Sequence, residues 1–513
     1  MYQSLLYQKS RLGDPYDKNV AGSARPFPSV RGAGAWGDPL NASTAERISA
    51  RLLDGIPTPQ RYWAVVSIAI SVMLASLSTA IANIALPTIA RELAVSPASA
   101  IWVTNAYQIA MTVLILPLAS IGDIVGHSKV YRTGLAVFTL AAFVCAFADS
   151  LPMLTFGRML QGMGAAGILA CNTALVRFTY PRAMLGRGMS VNSFVVATSA
   201  ASGPSIAAAI LSLAPWPWLF AVNIPLGALA FFLSRNLPYI DGTGARFDFQ
   251  SALYAGLAFG LLIIGIDALG HGHGFGLFAA LIAISILSGF LLVRRQAKLA
   301  TPMLAVDLFK RPVFALSVST SVLSYTAQGL GFVSLPFYFH DVLGQSQVAI
   351  GLLMTPWPVT VMITAPIAGY LSDRYPAGIL CCIGSSCLAL GLVLLAFLPP
   401  DPEPLNIAWR MAICGFGFGF FQTPNNRAIV TSAPRERSGG ASGFMSSARL
   451  LGQATGASSV ALIFGMFAAQ GAPESAAVTF AVLTGATFAA VGAGVSLLRQ
   501  MDFRRDAAAN AGD

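Results

Sequence analysis

Charged residues are scarce in this chain, at 10% of 513 residues, where a soluble protein carries about a quarter. That shortage, beside 55% hydrophobic residues, excludes a soluble globular protein of this length and points to one built in lipid. Carboxylates are scarcest where they would matter most. Of 21 Asp and Glu, only Asp267 falls clearly inside a membrane-length apolar run, so it carries most of the weight in any scheme needing a titratable group at depth. All six cysteines lie in apolar runs, which argues against a disulfide framework or a zinc site. Neither a P-loop, an HExxH nor a GxSxG is present, so no catalytic residue, metal or cofactor is expected and the chain does not read as an enzyme.

What the chain has instead is about fourteen stretches long enough to cross a bilayer. They cover 63–87, 100–121, 131–148, 152–176, 188–213, 217–234, 251–270, 275–293, 312–337, 348–371, 378–398, 405–426, 439–468 and 477–498. The net charge of +10 is distributed by topology. Alternate loops hold Lys129 and Arg132; Arg177, Arg182 and Arg187; Arg235 and Arg246; Arg294, Arg295, Lys298, Lys310 and Arg311; Arg374; and Arg427, Arg435 and Arg437. The opposite loops hold only Arg91. This positive-inside asymmetry predicts both termini in the cytoplasm and a multi-pass protein of the cytoplasmic (inner) membrane, with the lipid bilayer, not nucleic acid, as its partner. The polar, Gly- and Pro-rich residues 1–61 read as a disordered tail.

The chain also repeats itself at an offset of about 250 residues. Ile121-Gly122-Asp123-Ile124-Val125-Gly126 follows the second run and Gly369-Tyr370-Leu371-Ser372-Asp373-Arg374 follows the tenth. Arg158-Met159-Leu160-Gln161-Gly162 and the segment from Arg410 to Gly417 come a similar distance later. The repeat predicts an amino-terminal six-helix bundle (62–238), an inserted helix pair (239–300), a carboxy-terminal six-helix bundle (301–500) and a short tail (501–513). A carrier built this way binds its substrate near the midplane between the halves and rocks them to alternate access.

Over roughly 62–500 the chain resembles the fourteen-span drug/proton antiporter branch of the major facilitator superfamily. The resemblance rests on Asn83-Ile84-Ala85-Leu86-Pro87, Arg158 to Gly162, and the run Trp216-Pro217-Trp218-Leu219-Phe220-Ala221-Val222-Asn223-Ile224-Pro225. It implies an all-α membrane protein of 14 transmembrane helices in a 6+2+6 arrangement of two pseudo-symmetric six-helix bundles. It also implies export of small amphipathic compounds or drugs by proton antiport, from a monomer. The family's first-span acid falls on Ser78, so an uncoupled facilitator or a specific metabolite exporter is the first alternative, and a non-transporting sensor or scaffold the second. The span-five antiporter motif keeps Gly203-Pro204 but has Ser190, Ser199 and Ala207 in place of flanking glycines.

Arg158 costs ~2.5 kcal/mol or more to bury in a membrane, which directs it inward. With no acid at position 78, Asn83, Tyr107 or Gln108 is the expected partner. Arg158 and Asp267 are the candidates for proton coupling or charge pairing, and Asp267 lies four residues before the run His271-Gly272-His273. Asp123, Gly126, Asp373 and Arg374 form the expected cytoplasmic latch motif, with helix capping as the plain alternative. Asn83, Tyr107, Gln108, Gln161, Asn192, Tyr325, Gln328, Trp357, Gln422, Asn425, Asn426 and Arg449 are the candidate cavity lining. Arg158, Arg410 and Arg449 against one acid make the interior lean positive, which favours neutral or anionic small-molecule substrates.

Overall fold

The computed structural model describes residues 55–181, 184–239, 242, 244, 246–270, 275–299, 306–433 and 438–509. Positions 1–54 of the amino-terminal tail, His271, His273 and the loop cations Arg182, Arg435 and Arg437 lie outside the described residues. Lipid offers no partner for backbone N–H and C=O groups, so apolar runs of this length satisfy them internally, as helices. The main helices are α1 (Thr58–Glu92), α2 (Pro97–Val125), α3 (His127–Ala146), α4 (Leu151–Thr179), α5 (Leu185–Leu213), α6 (Trp218–Asn236) and α7 (Phe249–Gly270). They continue as α8 (Phe275–Gln296), α9 (Pro312–Phe337), α10 (Gln347–Leu371), α11 (Ala377–Ala396), α12 (Pro404–Ser432), α13 (Ser438–Ala469) and α14 (Glu474–Ala509). Among the described residues, 11 helices are long and apolar enough to cross a membrane. The chain is therefore a multi-pass membrane protein. The expected number is not reached on that criterion because Ser, Thr, Asn, Gln and Arg dilute α9 and α12, while α5 supplies only the shorter apolar helix Ser202–Leu213.

Helices α1–α6 pack on one another, as do α9–α14. The two bundles meet where α5 lies on α10, α2 on α13 and α1 on α9 and α10. Helices α7 and α8 pair with each other, and α7 also lies along α2 and α13, beside this seam. The turns where α7 begins and α8 ends are pinned by a polar clasp in which Arg295 donates to Asp248 Oδ1 at 2.9 Å and Gln296 to Ser251 Oγ at 2.7 Å. Burial pushes the Asp248 carboxyl up, but the donors Ser251 and Arg295 outweigh it and hold the group below its ordinary value.

The repeat is visible in how glycines set the packing. A Cβ on Gly162 would strike the Tyr107 carbonyl, and one on Gly415 would strike the carbonyl of Trp357, which stands 250 residues after Tyr107. Gly164 presses on Phe138 and Gly134 as Gly417 presses on Leu388 and Gly384. Small residues at these crossings let backbones approach closely, which is how helices associate where lipid is as apolar as their side chains. Arg410 does not occupy the place of Arg158. The glycines align Arg158 with the buried Met411, while Arg410 donates to the Leu394 and Phe397 carbonyls at the end of α11.

Successive helices alternate in direction, so Arg91, Leu213, His340, Gln347 and Glu474 share one end of the molecule, the far end. Val125, Leu371 and Ser432 lie toward the near end.

Candidate functional site

Arg158 sits on α4 with 0% exposure and a cage of neutral groups around it. Nη1 donates to Ser78 Oγ at 2.7 Å and to Gln161 Oε1 at 2.5 Å, Nη2 to the Ser78 carbonyl at 3.3 Å, and Nε to the Val103 carbonyl at 3.0 Å. The Tyr107 ring lies under the guanidinium, 4.2 Å from its centroid, with Phe220 at 5.6 Å. Such a cation–π contact contributes ~0.5–2 kcal/mol. The hydrogen-bond partners are thus Ser78, Val103 and Gln161 in place of the expected trio. Tyr107 offers its face, not its hydroxyl, which donates to the Ala75 carbonyl at 2.8 Å. Asn83 accepts from Thr104 at 2.9 Å, and Gln108 is buried close by in sequence with its Oε1 unpartnered among the described residues. Gln161 Nε2 and both amide atoms of Asn105 share that state. Each orphaned group of this kind costs ~1–3 kcal/mol unless water or a ligand meets it.

Ser78, where the resemblance leads one to expect an acid, faces Arg158 directly. Among the described residues no carboxylate forms an ion pair with this guanidinium. Its positive charge is spread over carbonyls, an amide, a hydroxyl and a ring.

Arg449 has a different setting. It is half-buried on α13, and among the described residues it makes neither a hydrogen bond nor an ion pair. Its helix packs on α2, which carries Tyr107 in the first bundle, and on α9, which carries Tyr325 in the second. Tyr325 accepts from Gln422 at 2.7 Å and is edge-packed by Phe418 at 5.2 Å. Gln328 accepts from Gln453 at 3.4 Å, and Asn426 is half-buried on α12.

Three residues of the expected lining lie elsewhere. Asn192 accepts from Asn172 at 3.0 Å and borders a small crevice with Val65, Val176 and Tyr180 toward the near end. Trp357 is fully buried, with Phe332 edge-on at 4.9 Å, so it presents no open face. Asn425 joins a cluster that sequence reasoning missed: Arg499 Nη1 donates to Asn425 Oδ1 at 2.8 Å and to Ser317 Oγ at 2.6 Å, and Asn425 donates to Ser321 Oγ at 2.8 Å. Arg499 is 3% exposed, so it and not Arg410 is the buried cation of the second bundle. Asp267 is also buried, on α7.

At the far end the bundles are stitched together. Gln347 donates to Thr88, Ser205 and Thr355 share a hydrogen bond of 2.9 Å, and Arg91 bonds His340 at 3.1 Å. Between them, Gly351 lies so close to α5 that a Cβ there would sit 2.6 Å from both the Pro204 carbonyl and Ala208 Cβ. These are the described side-chain hydrogen bonds that join the two bundles, and all three lie toward the far end.

The Major Facilitator Superfamily profile matches residues 68–457, well over half of the 513 residues. The chain belongs to the Major Facilitator Superfamily. This transporter is 49% identical to the uncharacterized transporter YebQ of Escherichia coli (strain K12) over 87% of its own length and 97% of that protein's. It is 29% identical to the multidrug resistance protein Stp of Mycobacterium tuberculosis over 74% of its length and 71% of that chain. A bacterial homologue of the human lysosomal transporter Spinster has the same fold, with a TM-score of 0.65 at 14% identity, covering 88% of this transporter and 99% of that chain.

The loop motifs of this transporter pair within their own bundles. Asp123 reaches His127 at 3.2 Å, and Asp373 pairs with Arg427, which also donates to Ser372 Oγ at 3.0 Å. Gly126 has φ 110° at the tight turn between α2 and α3, a conformation only glycine adopts without strain. Arg374 lies over the Tyr370 ring at 4.9 Å. In this conformation neither aspartate reaches across to the other half.

Proposed function

We propose that this transporter exports small amphipathic compounds across the cytoplasmic membrane, by proton antiport with alternating access through fourteen spans. The observation that carries the reading is Arg449, a half-buried guanidinium with no partner among the described residues, on the helix of the second bundle that packs against α2 of the first. An unpaired cation at that depth is stabilised by a substrate bearing a carboxylate, phenolate or other strong acceptor. Neutral and anionic compounds are therefore favoured over dications. The charge asymmetry assigns the far end to the exterior, so the three contacts across the far seam support a state open toward the cytoplasm, ready to load an export substrate. The multidrug resistance protein among the relatives is in keeping with broad amphipathic cargo.

Proton coupling falls to the few titratable groups within the helices, and among the described residues the buried carboxylate is Asp267. Ser78 in place of the acid favours a second reading, an uncoupled facilitator. Accumulation of cationic, neutral and anionic dyes in bacteria lacking their own pumps, with and without a protonophore, separates the two. Antiport predicts protonophore-sensitive exclusion of neutral and anionic dyes. A facilitator lets each dye follow its own gradient.

Two substitutions refine this. Arg449→Gln is expected to reduce exclusion of anionic dyes about tenfold, the equivalent of ~1.4 kcal/mol, and to spare neutral ones. Equal loss for both dye classes would remove Arg449 from the binding site. Asp267→Asn is expected to weaken the protonophore-sensitive component. Export as strong as wild type under a proton gradient would end its role in coupling.

A further inference from the structure

The far-end seam contains one titratable side chain that joins the two bundles directly. His340 stands in the π-helical turn Tyr338–Val342 after α9. Its Nε2 is 3.1 Å from Arg91 Nη2 at the end of α1, and its Nδ1 is 2.5 Å from Asp341 Oδ1. Chemistry fixes the proton inventory of this chain of three. A guanidinium only donates, so Nε2 must accept from Arg91 and carry no proton. Nδ1 then carries the single ring proton and donates it to the Asp341 carboxylate. The contact that bridges the bundles exists only while the imidazole is neutral.

The charged and titratable groups around the ring are accounted for from each packed element. Arg91 faces it from α1, Asp341 and Tyr338 from its own turn, and Glu474 from the first turn of α14, close enough for its charge to act on both His340 and Asp341. Glu92, next to Arg91, is held by Trp216 Nε1 at 2.8 Å. A cavity of about 480 Å³ lined by Ser96, Pro97, Phe464 and Glu474 opens on the Glu474 side of this cluster.

We propose that His340 is a proton-binding site of the transport cycle, filled from the far end. A proton arriving on Nε2 removes the acceptor that Arg91 uses and sets imidazolium against guanidinium across the seam. Asp341, on the second bundle, holds the new cation on its side. The Arg91 hydrogen bond is lost, the bundles repel at this point, and the far end opens. Acid at the far end therefore opens this seal, and release of the proton closes it, so the site gates the far seam. The proposal rests on the proton-antiport reading and on the orientation assigned by charge. It supplies a titratable group on the external side of a protein whose first-span position is Ser78.

The test is the distance between spin labels at Leu213→Cys and Leu405→Cys, which are 89% and 75% exposed on the first and second bundles. The native cysteines are replaced and the full chain is reconstituted in liposomes at about pH 8 and about pH 5, either side of the imidazole range. Acidification is expected to raise the long-distance population several-fold in the parent protein. In His340→Gln, whose amide accepts from Arg91 and donates to Asp341 without titrating, that rise is expected to vanish. In Arg91→Ala the long distance is expected at both pH values. A parent protein that does not respond to pH, or His340→Gln opening as the parent does, overturns the proposal. Failure of antiport itself appears separately, as dye export insensitive to protonophore while the pH-driven opening persists.

Discussion

Replacing Arg158 by leucine is expected to lower export to below about a tenth of wild type while the protein still reaches the membrane, because the side chain is the hub of its bundle. Ser78 on α1, Val103 on α2 and Gln161 on α4 all spend acceptors on it, and Tyr107 and Phe220 pack against its plane. Leucine leaves those acceptors facing one another in a site sealed from solvent, at ~1–3 kcal/mol for each one unmet. The helices must shift to rescue them, and the faces they present to the second bundle shift too. Arg158→Lys is expected to retain part of the activity, since one ammonium cannot reach both Ser78 and Val103 in the fork that a guanidinium provides. The check is dye export per molecule of transporter, with membrane content measured by immunoblot. Full export by Arg158→Leu would mean the cage is decoration.

The second large effect is steric. Gly351→Leu is expected to abolish export, since its Cβ would lie 2.6 Å from the Pro204 carbonyl and from Ala208 Cβ, and a helix backbone on each side cannot yield. The leucine wedges α5 from α10 and holds the far seam apart. Two measurements report it together: loss of dye export, and faster labelling of a cysteine placed at Ser205 by a thiol reagent added from outside. Gly351→Ala, with the same Cβ and no further atoms, is expected to do the same more weakly. Unchanged labelling in the leucine variant would show that the seam is not sealed at this crossing. The same contact explains why the span-five motif tolerates its altered flanks. Gly203 has Ala80 Cβ 2.6 Å from where its own Cβ would be, and the Pro204 carbonyl is what Gly351 meets. Both approaches are made by residues the motif keeps, and Ala207 is fully buried beside them.

Apolar runs and loop charge made the helical plan legible, because length and polarity are what a bilayer reads. The Arg158 site was legible as a position on α4, but its partner was not: the sequence pointed to Asn83, Tyr107 or Gln108, and Ser78 is the group that accepts from it. Its chemistry was not, because a guanidinium without a carboxylate has many acceptors and sequence gives no distance. Arg410 was misplaced by one residue. A slip of one position on a helix turns a side chain by about 100°, which carried Arg410 from an imagined interior to the carbonyl end of α11. The glycines Gly162 and Gly415, matched to the carbonyls they press upon, would have fixed the register. Arg499 was missed because it stands just past the last apolar run and looked like the start of a tail. The signal was present in Ser317, Ser321 and Asn425, polar groups on facing helices that need a donor. His340 left no mark at all, since an isolated histidine between two runs is ordinary until Arg91 is seen beside it.

The most direct test of the central claim is proton movement during transport, followed with a pH-sensitive dye inside liposomes that contain the purified protein. When an anionic or neutral amphipathic dye that the transporter excludes from cells is added on one side, protons are expected to move in the opposite direction. That proton flux should be abolished in Arg158→Leu. Dye flux of the same size with no change in internal pH would contradict antiport and leave the carrier as a facilitator.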